Sequence, residues 1–285
     1  MNVEFLGTAG ASTTPRAGCD CRICVEAREK GLPYSRTGPS VFVHGPDVLV
    51  DTPEESVLQL NRSTLRRIRA GVYSHWHPDH VMGRRVWESL NAEWRAWPRR
   101  VRGCTPIYVP RRVAEDFGSR LGTWQHLEFM AGQGWIEVVV VEDGEPIDLE
   151  NARVLPVRVA QSYVYSFVFE ANGRRVLIAP DELKGWRPPE WLHGVDLAVV
   201  PMGITEFDVF TGERRLAAEH PLLALEATFD ETLRMLDELA PSRALLTHIE
   251  EMDGLSYDDL KRVEKRVRGE GRDVTFAYDT LVVAV

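Results

Sequence analysis

The chain has 285 residues, 44% of them hydrophobic and 27% charged, with a formal net charge of -9. That size and balance suit a globular protein with a large core, and the acidic excess argues against a broad nucleic-acid-binding surface. No apolar run approaches the ~20 residues of a membrane-spanning helix. The opening Met1-Asn2-Val3-Glu4-Phe5-Leu6 carries an acid where a secretory leader needs a basic region, so it reads as a first strand and cytoplasmic residence is expected.

In chain order, Cys19, Cys21 and Cys24 follow that strand as a C-x-C-x-x-C cluster. In a reducing compartment such spacing suggests metal ligands rather than disulfides. Strands are expected at 40–44 and 48–51 around the turn Gly45-Pro46, and helical periodicity covers 55–69. A strand at 71–74 runs into His75-Trp76-His77-Pro78-Asp79-His80. Pro78 suits the start of a helix extending to about Asn91. The stretch 91–135 holds Trp94, Trp97, Trp124 and Trp135 among several arginines. It either covers a cleft as an insertion or packs as ordinary helices, one of them around 114–121. Cys104 is expected to pack as a small hydrophobe before a strand at 107–109.

Further strands are expected at 136–141, 153–159, 163–170, 175–179, 197–201, 244–247, 274–278 and 281–285, with helices at 229–240 and 257–269. Hairpin-rich strands punctuated by helices predict an α/β fold, an αββα four-layer sandwich of two mixed sheets in one domain spanning 1–285.

His75 and His77, spaced i, i+2 on extended chain, project to the same side and can share one cation. Asp79 and His80 on the next bend can address a second. The pattern His75-x-His77-x-Asp79-His80 resembles the signature of the metallo-β-lactamase-fold hydrolases. Phe5-Leu6-Gly7-Thr8-Ala9-Gly10 is similar to that superfamily's first strand and glycine turn, and Val48-Leu49-Val50-Asp51-Thr52 to the strand ending in its buried supporting aspartate. Ile178-Ala179-Pro180-Asp181 stands in the place of its bridging aspartate, and Leu245-Leu246-Thr247-His248 in that of its late histidine. With Gly18-Cys19-x-Cys21-x-x-Cys24, the chain resembles the branch of the carbon–phosphorus lyase cyclic phosphodiesterase, itself related to tRNA 3′-end-processing endonucleases.

The resemblance implies that His75 and His77 hold one divalent cation, that Asp79, His80 and His248 hold another, and that Asp181 bridges them. It implies a structural zinc at Cys19, Cys21 and Cys24, with Glu251 at the position of the fourth ligand. Zinc, manganese and iron all suit the cleft ligands.

Two departures accompany it. The family's further histidine for the first cation falls near Ala160, and no histidine occurs between His126 and His193. The histidine that relatives of the phosphodiesterase type carry before the late helix is replaced by Glu226. That residue is read either as a group facing the cleft or as a helix-entry acid. His220 on the preceding loop either reaches the site or is solvated. Asp79, Glu226 and His220 are the candidate catalytic residues.

The function expected is a metal-dependent hydrolase, a phosphodiesterase directing a metal-activated hydroxide at a small nucleotide-like or cyclic phosphate ester. Hydrolysis of a lactone, thioester or cofactor precursor, or a metal-binding homologue without catalysis, are the alternatives that Ala160 raises. RNA processing is a weaker reading, because the arginines at 66–69 fall in a segment expected to be helical and solvated. The expected partner is a small-molecule substrate, with no membrane and no nucleic acid, and a homodimer is left open.

Overall fold

The computed structural model describes residues 1–98 and 100–285. Two seven-stranded mixed sheets face each other. The first runs in the order Val282–Ala284, Asn2–Gly7, Ser40–His44, Val48–Val50, Ala70–Val72, Thr105–Pro110, Ile136–Val141, with its last four strands parallel. The second runs Val274–Phe276, Ala244–Thr247, Leu197–Pro201, Arg174–Ile178, Tyr165–Ala171, Ala152–Arg158, Ile147–Leu149, with its first four parallel. This is the αββα sandwich expected from the strand and helix pattern.

The period of two along each strand builds two separate cores. Phe167, Phe169, Val176 and Ile178 from the second sheet pack against Val3, Phe5, Val43, Leu49 and Ile107 from the first. Their neighbours Val168 and Leu177 face the other way and join Leu236, Leu239, Val263 and Val267 of the helices Phe229–Leu239 and Tyr257–Gly269. Strands apolar on both faces are what a covered, largely parallel sheet requires. No helix among the described residues is long and apolar enough to cross a membrane.

Several elements depart from expectation. The helix expected over 55–69 spans only Ser56–Arg62. Beyond it the Thr64 amide and hydroxyl bond the buried Glu4 carboxylate at 2.9 and 2.7 Å, and the Arg69 amide bonds the Asp47 carbonyl at 2.8 Å. These tertiary bonds hold the arginines 66–69 in non-helical chain. The helix after the histidines is broken into Pro78–Val81, a 3-10 turn Met82–Arg85, and Val86–Asn91. The break follows the tight approach of Gly83, whose amide bonds the Thr52 carbonyl at 2.9 Å. A Cβ there would lie 1.8 Å from the Pro53 carbonyl oxygen, so glycine is required.

The helices Arg22–Lys30 and Thr123–Gly132 were not anticipated. Cys104 is exposed rather than packed. Within the Trp/Arg-rich stretch, Thr105–Pro110 is an interior strand of the first sheet, and Trp135 is buried in the inter-sheet core. Trp94 and Trp97 are exposed. Arg120 from this stretch stacks 4.2 Å from the Trp76 ring beside the histidine motif.

Candidate metal centre

The candidate ligands lie beyond the carboxyl ends of parallel strands, where open α/β sheets place their clefts. Asp51 follows Val48–Val50, His75 follows Ala70–Val72, Asp181 follows Arg174–Ile178, and His248 follows Ala244–Thr247. Asp51, Glu182 and His248 all have left-handed φ, at 59°, 59° and 49°. Side chains other than glycine hold that conformation at a cost, and such residues concentrate at functional sites.

Asp51 organises the histidine loop. Its carboxylate accepts the Ser74 amide at 2.8 Å, the Ser74 hydroxyl at 2.6 Å and His80 Nδ1 at 2.8 Å. The last bond fixes the proton on Nδ1 and turns Nε2, with its lone pair, toward the cleft. Ser74 Oγ also lies 3.0 Å from His75 Nδ1. Nε2 of His75, His80 and His248 are buried without any hydrogen-bond partner. Three buried, orphaned imidazole nitrogens this close to one another's carboxylate neighbours are costly unless a cation accepts them.

Their spacing matches that demand. His75 Nε2 is 3.7 Å and His248 Nε2 3.5 Å from Asp181 Oδ2. Asp79 Oδ2 is 3.4 Å from His80 Nε2 and 3.5 Å from His248 Nε2. Most of these separations are long for hydrogen bonds. Ligand atoms bound to one tetrahedral cation at ~2.0–2.1 Å stand ~3.3–3.5 Å apart. The donor set therefore fits cations, in the groups Asp79, His80 and His248; His75, His80 and Asp181; and His77, Asp181 and Glu182. Asp181 belongs to two groups, as a bridging carboxylate would.

The charges agree. Burial, with His80 and His77 nearby, holds His75 well below the usual imidazole range. Burial alone would raise Asp79, but His80 and His248 outweigh it and keep it ionised. Burial would likewise lower His248, yet Asp181 and Asp79 raise it well above the ordinary value. This affinity for a proton measures a negative potential that a cation would neutralise in the proton's place.

Glu226 borders the same cleft, in a pocket wall shared with Asp181, Glu182, His248 and Glu250. Burial and Asp181 push its carboxyl up to about 7. It is not the entry acid of the late helix, whose capping box is made by Thr228 and Glu231. His220 is not among the residues of that wall, and its Nδ1 accepts the Leu222 amide at 3.3 Å.

Two cleft acids escaped the sequence reading. Glu182 follows Asp181 directly, and its Oε1 is 3.6 Å from His77 Nδ1. Glu250, two residues past His248, brings Oε1 to 3.5 Å from His248 Nδ1 and accepts the Ala11 amide at 3.0 Å. Adjacency to a ligand at a strand tip was the available signal for both.

A second cluster lies at the N-terminal loop. Glu251 Oε1 stands 3.5, 3.3 and 3.3 Å from the sulfurs of Cys19, Cys21 and Cys24. Thiolate and carboxylate ligands of one tetrahedral zinc, at ~2.3 and ~2.0 Å, would be ~3.5 Å apart. Arg16 Nη1 lies 3.5 Å from the other Glu251 oxygen.

A family profile for the beta-lactamase superfamily domain matches residues 45–249. The chain belongs to this family. Its two-sheet architecture is the metallo-β-lactamase fold, in a superfamily that includes metal-dependent hydrolases. A diphosphatase from the PhnP family is 22% identical, with a TM-score of 0.70 over 100% of this chain and 97% of that one. Zn(2+)-bound PqqB from Methylobacterium extorquens is 17% identical, with a TM-score of 0.73 and full coverage of both chains. The short form of human tRNase Z is 20% identical, with a TM-score of 0.64 over 100% of this chain and 99% of that one. A sequence comparison with curated proteins finds no match.

As a supporting residue of this metallo-β-lactamase-fold centre, Asp51 should matter more for cation affinity than its lack of direct contact suggests. Asp51→Asn is expected to weaken cation retention ~10–100-fold, as loss of an orienting partner typically does. Chelator competition against the wild type measures it.

Proposed function

We propose that the chain is a metal-dependent phosphodiesterase acting on a small nucleotide-like or cyclic phosphate ester. The observation that carries this reading is the buried set of three unpartnered imidazole nitrogens facing Asp79 and Asp181. His75, His77 and Asp181 would hold one divalent cation, and Asp79, His80 and His248 the other, with Asp181 shared. Zinc, manganese or iron(II) would suit these donors. Held by these residues, divalent cations would supply Lewis-acid activation of water and of phosphoryl oxygens. The similarity to a diphosphatase supports a phosphoryl-bearing substrate.

The chain's own residues supply orientation and protons. Asp51 fixes the His80 ring through Nδ1. Glu226 keeps its proton to about pH 7 and can donate it to the departing oxygen. His220, bonded to its own turn, is not needed for that role. The alternative substrate class, a lactone or thioester, draws on Ala160 in place of a histidine and on the acid at Glu226.

At the N-terminal loop, Cys19, Cys21, Cys24 and Glu251 would hold a structural zinc. Because Glu251 lies three residues past His248, this zinc would pin the loop beside the cleft.

His77→Ala and Asp181→Ala should each lose cleft cation and phosphodiester hydrolysis together. Hydrolysis that survives measured loss of the cation would sink the mechanism. A screen of bis(p-nitrophenyl) phosphate, cyclic nucleotides and lactones on the same sample separates the two substrate classes. With Glu226 as proton donor, facing Asp181, His248, Glu182 and Glu250, activity should fall as pH rises through its raised pKa. That limb should vanish from the pH–rate profile of Glu226→Gln. Cys21→Ser should lose one equivalent of zinc, and an unchanged zinc count would rule out the structural site.

A further inference from the structure

The first half of the centre is short of a ligand, because no histidine stands at or near Ala160 to complete the set begun by His75 and His77. We infer that Glu182 is the replacement, a carboxylate ligand that joins His75, His77 and Asp181 around the first cation. This rests on the metal-dependent reading above and deepens it.

Four observations converge on Glu182. First, its Oε1 is 3.6 Å from His77 Nδ1, a separation of the same kind as the His75–Asp181 and His248–Asp181 pairs. It is too long for a good hydrogen bond and close to the edge of a coordination tetrahedron. Second, one oxygen or nitrogen each from His77, Asp181 and Glu182 lie within 4.8 Å of one another. His75 Nε2, fully buried and unpartnered, lies 3.7 Å from Asp181 Oδ2.

Third, the two Glu182 oxygens have different duties. Oε2 accepts the Tyr163 hydroxyl at 3.0 Å, which leaves Oε1 toward His77. Tyr163 stands three residues past Ala160, so the loop that lacks the ligand histidine supplies the residue that orients its substitute. An orienting hydrogen bond on the second oxygen is what a monodentate metal carboxylate ordinarily has. Fourth, Glu182 is buried with a left-handed φ of 59°, a costly backbone setting of the kind found at functional sites, and it lines the same wall as Asp181. Without a cation, burying Glu182 beside Asp181 adds repulsion that the Tyr163 hydrogen bond and the nearby His248 and His80 must offset.

The exchange has a chemical consequence. Two imidazoles and two carboxylates make a harder and more negative half-site than three imidazoles and one shared carboxylate. Such a set moves preference toward oxygen-loving cations such as manganese.

The test counts metal rather than activity. Wild type, Glu182→Gln and Glu182→Ala are stripped with chelator and reloaded with zinc or manganese. Bound equivalents are read by elemental analysis and site affinities by calorimetry. Both variants should lose one cleft equivalent, or bind it at least ~10-fold more weakly, since losing a ligand should cost no less than losing an orienting partner. The other cleft site and the cysteine site should be unchanged. His77→Ala should lose the same equivalent, and His77→Ala/Glu182→Gln should lose no more than either single variant. Thermal unfolding of the metal-free proteins verifies that the Gln variant is folded. Should it not be, Glu182→Asp replaces it and is expected to weaken the same site. Full stoichiometry and unchanged affinity in the folded variants would overturn the assignment of Glu182 while leaving the metal centre intact. A wild type that takes up no cleft cation would overturn the metal-dependent reading and this inference together.

Discussion

The carboxylate of Asp51 is the interaction on which the centre depends. It sits at the tip of one strand and bonds Ser74 and His80 across the tip of the next. These three bonds, made in a fully buried position, convert a polar loop into a rigid presentation of imidazole nitrogens. The neighbouring layer supports them. The Tyr73 hydroxyl bonds the Thr52 hydroxyl at 2.8 Å and accepts from the Trp87 indole at 2.9 Å, while the Thr52 amide donates to the His80 carbonyl at 2.8 Å. The strand that carries Asp51 and the strand that leads to the histidines are thus tied by side chain and backbone alike.

That rigidity explains why so much unfavourable electrostatics can be kept in one place. Asp79, Asp181, Glu182, Glu226 and Glu250 share a buried or half-buried cleft with four histidines. Burial alone would drive the carboxyls toward neutrality and strip protons from the imidazoles. The opposing shifts of Asp79 and His248 show the two sets of charges stabilising each other. A geometry that balances like charges at ligand spacing is poised to accept divalent cations, whose charge satisfies every group at once.

The sequence motif made the histidine cluster legible because its spacing is local. His75, His77, Asp79 and His80 are close in any extended-then-turned backbone, and the apolar strands before Asp51, Asp181 and His248 fix where those residues emerge. The Cys19, Cys21, Cys24 and Glu251 grouping was likewise anticipated, and the four side chains do meet. The helix Ser56–Arg62 and the broken helical segment 78–91 are less legible. Their limits are set by Glu4 capturing Thr64 and by Gly83 pressing against Pro53, contacts between segments far apart in the chain.

The alternation that makes two sheets, the ligand residue types and the lack of a histidine near Ala160 follow from the order of residues alone. They do so because side-chain period and residue identity are local properties. Long-range packing instead places Glu182 beside His77, sets Glu226 at the cleft while the Thr228–Glu231 box caps the helix, and leaves His220 bonded to its own turn. Those outcomes depend on a left-handed backbone at one strand tip and on a tyrosine from another hairpin. Neither is written in the spacing of any motif, because both arise where strands distant in sequence end side by side.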